Sequence, residues 1–141
     1  MTHVSGLIDT ITARYNEGGA GFVHDLDLRV TAAEPGRVEF ALPVTDRLVH
    51  GGGVLCGQSI LACMDTGMVF VMMSLDDSNN FTTVSLNTVF ERGVPAGTPE
   101  VRFVARATRP GRTLVYGEVE LFLPDGKRAA HATTTYMWLP A

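Results

Sequence analysis

One carboxylate lies in the middle of the most apolar stretch of the chain. Asp65 has Leu61, Ala62, Met68 and Val69 at the neighbouring helical positions. An ionised carboxylate in such company needs hydrogen bonds, a cation or a cleft open to water. Held in a cleft, it can serve as a general base or as a nucleophile; the plainer alternative is an Asp on the wet edge of a structural helix. A second feature precedes it, the run His50-Gly51-Gly52-Gly53-Val54-Leu55-Cys56-Gly57. Glycine permits close backbone approach, and a helix start presents unpaired N–H groups. Together they can hold an anion or a developing oxyanion, although three glycines also make an ordinary flexible loop. Of His3, His24, His50 and His131, only His50 stands beside this run.

Two other motifs come close and fail. Gly52 to Ser59 has the spacing of a phosphate-binding loop, but Gln58 stands where the phosphate-reaching Lys is required. His50-Gly51-Gly52-Gly53 matches the oxyanion loop of lipase-type hydrolases, which also need G-x-S-x-G. Gly57-Gln58-Ser59-Ile60-Leu61 lacks the final Gly.

The elements that must position these residues follow from periodicity. Leu7, Ile8, Ile11 and Tyr15 predict a short amphipathic helix over about 4–16, ended by Gly18-Gly19. Leu26, Leu28 and Val30, then Val38, Phe40 and Leu42, alternate around Glu34-Pro35-Gly36 and predict a hairpin over 26–43. A long helix over about 54–75 is apolar nearly all round, hence buried on most sides. Period-two patterning then predicts strands at about 81–92, 100–109, 112–123 and 128–139. Strands gathered around one helix imply an α+β fold with a mainly antiparallel sheet wrapped around it.

Composition narrows the class of function. The 141 residues fit one domain, 1–141. At 45% hydrophobic and 18% charged, the chain has the material for a packed core rather than a disordered coil. A net charge of −4 gives no footprint for nucleic acid. Cys56 and Cys63, read on one helix, are about 10 Å apart along its axis, too far for a disulfide. They read as two thiols of a reducing, cytoplasmic compartment, and no cluster of Cys or His offers a metal site. The N-terminus lacks the basic and apolar regions of a signal peptide. The 54–75 segment could span a bilayer by length, but Gln58, Ser59, Asp65 and Thr66 favour a buried helix over a membrane one.

The run Leu55-Cys56-Gly57-Gln58-Ser59-Ile60-Leu61-Ala62-Cys63-Met64-Asp65-Thr66-Gly67-Met68 resembles the L-H-G-G-x-L-x-x-L-x-D-T-x-M run of the PaaI-like group of hotdog-fold acyl-CoA thioesterases, the phenylacetate-degradation and 4-hydroxybenzoyl-CoA thioesterase family. Element order and length extend the resemblance over nearly the whole chain. It implies a hotdog fold, with the sheet around one long central helix and a short N-terminal helix. It places Asp65 at the catalytic carboxylate and Gly57 at the oxyanion-hole glycine. His50 falls where the family has an Asn or Gln, and Thr83 where a Ser or Thr assists the attacking water. Arg109-Pro110-Gly111-Arg112 resembles the family's turn between long strands. The chain departs from the pattern at Cys56, in place of His, at Gln58, in place of the second Gly, and at His50. Reading His50-Gly51-Gly52 as the family's His-Gly-Gly would put the carboxylate at Ser59, which cannot serve.

The resemblance implies hydrolysis of an aryl- or medium-chain acyl-CoA, with no cofactor beyond the CoA of the substrate. Cys56 and Gln58 would lie against that substrate, and Arg92, Arg109 and Arg112 are candidates for the CoA phosphates. The active site would form between the subunits of a homodimer or homotetramer, Asp65 of one facing Gly57 of the other. Two rival readings are a non-catalytic binder of acyl-CoA or a fatty acid, and a hotdog dehydratase pairing His50 with Asp65.

Overall fold

The alternating segments do become strands, and the apolar run becomes the helix they enclose. The computed structural model describes residues 4–140. Helices α1 (Val4–Gly18) and α2 (Gly21–His24) lead into strands β1 (Arg29–Glu34) and β2 (Arg37–Pro43). A 3-10 turn at Asp46–Leu48 precedes the long helix α3 (Gly57–Leu75). Strands β3 (Phe81–Phe90), β4 (Glu100–Pro110), β5 (Leu114–Phe122) and β6 (Arg128–Trp138) complete the chain. All six strands form one sheet in the order β1-β2-β4-β5-β6-β3, each pair antiparallel. This is the hotdog arrangement, an α+β fold with α3 as its filling.

The inward positions of the strands and the faces of α3 make one core. Phe40 of β2 stacks on Phe103 of β4 at 5.0 Å and meets Phe70 of α3 edge-on at 5.2 Å. Such aromatic pairs add to the stabilisation from their buried area. Helix and sheet touch closely because β5 carries Gly117 opposite Met68. A Cβ there would lie 2.5 Å from the Met68 sulfur and 2.8 Å from the Arg106 carbonyl oxygen. α3 is long and apolar enough to cross a bilayer, yet 67% of its most apolar stretch is buried inside the protein.

Arg14 of α1 closes the far end of α3. Its guanidinium donates to the carbonyls of Met73, Asp76 and Ser78 at 2.8–3.0 Å and twice to Asn79 Oδ1. A cation at a helix C-terminus satisfies orphan carbonyls and opposes the negative end of the dipole.

Several boundaries differ from the sequence expectation, each for a local reason. α3 begins at Gly57 rather than 54, because Val54 and Leu55 are drawn into bridges with Pro95 and Val49. Cys56 is therefore the residue before the helix, half-buried, while Cys63 is fully buried; both thiols are free. β1 starts at Arg29 rather than 26, since 21–24 form α2 and Asp27 takes φ 56°. That extra turn has no apolar period to announce it.

The outer face of the sheet carries ion pairs. Arg37 and Arg102 both reach Glu39, Arg106 pairs with Glu118, and Arg128 bridges Glu91 and Glu120. These pairs are half-exposed, so water screens them and each adds little to stability. Among the described residues, Arg47, Arg92, Arg109 and Arg112 have no carboxylate partner.

Candidate active site

Asp65 lies on the side of α3 that faces the β3 edge of the sheet. Its Oδ1 accepts a hydrogen bond from Thr83 Oγ1 at 2.9 Å and another from the Tyr136 hydroxyl at 2.5 Å. The Tyr136 hydroxyl also lies 3.0 Å from the Asp65 carbonyl oxygen. A phenol has one proton to give, and the short bond to the charged oxygen is the stronger claim on it. Burial, reinforced by the Asp65 carboxylate, raises the Tyr136 pKa far above its ordinary value, which keeps it a donor. Among the described residues, no donor reaches Oδ2. One carboxylate oxygen is therefore pinned and the other is left for water or substrate.

The two donors come from paired strands. Thr83 and Tyr136 are direct register partners in the β3–β6 ladder. The register slips between Thr83 and Ser85, and such bulges re-aim side chains beside active sites.

Sequence reasoning reached Asp65 and Thr83 but missed Tyr136. A signal was present. Ala130, Ala132, Thr134 and Tyr136 form the inward face of β6, and a Tyr facing a core needs a partner for its hydroxyl.

The glycine-rich entry is a folded turn. Gly53 takes φ 81°, a conformation glycine adopts without strain. Its N–H donates to the His50 carbonyl at 2.9 Å, and the His50 N–H donates to the Val54 carbonyl at 3.1 Å. The His50 ring is exposed, and its Nδ1 accepts the Gly52 N–H at 2.8 Å. It makes no hydrogen bond to Asp65 in this chain.

Gly57 is the first residue of α3. A Cβ there would meet only the Phe90 ring, at 3.6 Å, which is ordinary contact. The chain's own packing therefore does not demand glycine at 57. Cys56 donates its N–H to the Leu48 carbonyl at 2.7 Å, and its carbonyl accepts Ser59 Oγ at 2.9 Å. Gln58 is exposed.

Along the helix axis Gly57 and Asp65 are about 12 Å apart. One chain cannot bring both to one carbonyl. The three candidate arginines are likewise spread out. Arg92 follows the Phe90 end of β3. Arg109 and Arg112 flank the β4–β5 turn, whose Thr113 carbonyl accepts the Trp138 N–H at the Phe81 end. A strand of this length separates the two ends by roughly 30 Å.

A cleft of about 530 Å³ opens beside Asp65, between α3, the end of α1 and the start of α2. The buried Cys63 plays no part in it; burial, with Cys56 nearby, pushes its thiol pKa well up, so it is no nucleophile.

Comparison with known proteins bears on this geometry. The sequence model of the Thioesterase superfamily matches residues 49–130. A protein of Thermoplasma acidophilum with a provisional esterase name is 28% identical over 116 residues, covering 82% of this chain and 86% of that protein. Among solved structures, the E. coli PaaI protein of the phenylacetic acid degradation operon superposes with a TM-score of 0.84 at 15% identity. That match covers 96% of this chain and 94% of that one. A Streptococcus mutans protein bound to acetyl-CoA matches with a TM-score of 0.74 at 20% identity, over 79% of this chain and 88% of that one.

Proposed function

The chain belongs to the Thioesterase superfamily, and from that premise we propose that it hydrolyses an acyl-CoA thioester to a free acid and CoA. The observation that carries the reading is Asp65, a carboxylate with one oxygen fixed by Thr83 and Tyr136 and the other unengaged beside a cleft. Asp65 acts on the thioester as general base for water or as nucleophile. The Gly57 N–H, at the positive end of the α3 dipole, polarises the carbonyl. The acetyl-CoA bound to the structural neighbour supports a CoA thioester as substrate.

Because Gly57 and Asp65 of one chain lie too far apart, the site is completed by a second copy. The free edge of β3 suits that pairing. Val84, Val89 and Phe90 are about half-exposed along it, and an open strand edge of this kind is covered in most proteins. In such a dimer Arg92 of one copy or Arg109 and Arg112 of the other, none with a carboxylate partner among the described residues, are candidates to meet CoA phosphates.

The direct test is thiol release from aryl- and alkyl-CoA thioesters by the purified protein. Absence of release from every thioester, with raised melting temperature in their presence, would replace hydrolysis by binding. Two variants probe the roles separately. Gly57→Ala removes a residue that folding does not need, and Ala is the better helix former by up to about 1 kcal/mol. Its melting temperature should hold or rise while kcat/KM falls at least about tenfold, as the methyl group crowds the carbonyl. Undiminished turnover would remove Gly57 from the oxyanion hole. Tyr136→Phe keeps the ring but leaves the carboxylate one donor short. It should cost about 1–3 kcal/mol of stability in a denaturant titration and lower kcat.

A further inference from the structure

Building on the thioesterase reading, we propose that the cleft beside Asp65 receives the acyl group, and that it selects neutral apolar chains against acyl groups ending in a carboxylate. The cleft follows α3 from Asp65 past Val69 to Met73, a run of about 12 Å along the helix axis. Val23 and Phe81 add apolar wall, and Arg14 and Asn79 stand at the Met73 end.

Among the described residues Arg14 is the only cation lining this space, and it has nothing left to offer. A guanidinium has five N–H donors. Nε donates to Asn79 Oδ1, Nη1 to the Met73 and Asp76 carbonyls, and Nη2 to the Ser78 carbonyl and Asn79 Oδ1. All five are engaged within the protein. The Tyr15 hydroxyl is likewise spent on the Val23 carbonyl at 2.7 Å. The remaining charged groups on the walls are Glu17 and Asp65, both acidic.

A chain ending in a methyl group loses nothing on entering such a space. A chain ending in a carboxylate must give up part of its water, finds no free cation and meets the like charge of Glu17 on the wall. A buried charge without a partner is strongly disfavoured. Discrimination thus arises from rejection of the charged chain as much as from attraction of the apolar one.

The test compares octanoyl-CoA with the CoA monothioester of the eight-carbon dicarboxylic acid, at equal chain length, by thiol release. The charged substrate should show kcat/KM at least about 100-fold lower. Glu17→Lys, which supplies a free cation, should narrow that gap by about tenfold. Met73→Trp, which fills the far end, should lower the octanoyl-to-acetyl ratio of kcat/KM by at least about tenfold, with melting temperature recorded as the control for folding. Equal turnover of the two eight-carbon substrates would overturn the selectivity while leaving the thioesterase reading intact. A gap that persists with neither variant moving its ratio would overturn the cleft as the acyl site. Failure to release thiol from any substrate would overturn both.

Discussion

Asp65→Asn should lower kcat/KM by about 10²–10⁴-fold on every thioester the wild type cleaves. The amide is close in shape to the carboxylate, and its oxygen can still accept from Thr83 and Tyr136, which hold Oδ1 at 2.9 and 2.5 Å. The fold should therefore persist, with the melting temperature changed by only a few degrees. The loss is chemical: an amide neither accepts a proton from water at neutral pH nor forms an anhydride with the acyl group. Steady-state kinetics beside a thermal melt would settle it. A folded Asn variant with near wild-type turnover would remove Asp65 from the reaction.

The largest expected effect on stability falls at Phe40, on the opposite side of α3. Its ring is fully buried between Phe103 and Phe70. Phe40→Ala empties that space, and neighbours on a sheet and a packed helix can collapse only partly. The cost should be about 3–5 kcal/mol, enough to lower the melting temperature by roughly 10 °C or more. Denaturant unfolding would measure it directly. A loss under 1 kcal/mol would mean that the three rings do not form the keystone of the helix–sheet contact.

Much of this was legible in the residues, and the reason is periodicity. Val101, Phe103 and Ala105 alternate, and all three are buried on the inner side of β4. α3 was visible as an apolar run without a polar face because the sheet encloses it. Asp65 stood out because its type contradicts its surroundings. What stayed hidden depends on contacts distant in sequence. Tyr136 meets Asp65 across 71 positions, and no spacing rule links them. Arg14 is one arginine among ten, and its four acceptors lie at the end of α3 and in the segment after it, some 60 residues away. The start of α3 differs for a related reason: Val54 and Leu55 fit the helical pattern, but Pro95 and Val49 claim them for bridges.

Strand order carries a consequence for how the protein comes into being. β3 precedes β4 in the chain, yet it lies at the far edge of the sheet and pairs only with β6, the last strand. During synthesis β3 emerges early and has no neighbour until some forty residues more have been made. Closing so long a loop is slow compared with forming the β1–β2 hairpin or docking α1. The carboxylate on α3 thus waits for its two donors, one from the strand that waits and one from the strand that arrives last. Within one chain, the hydrogen bonds that fix Asp65 are then among the last contacts to form, and a chain cut short before Tyr136 would lack the shorter of the two.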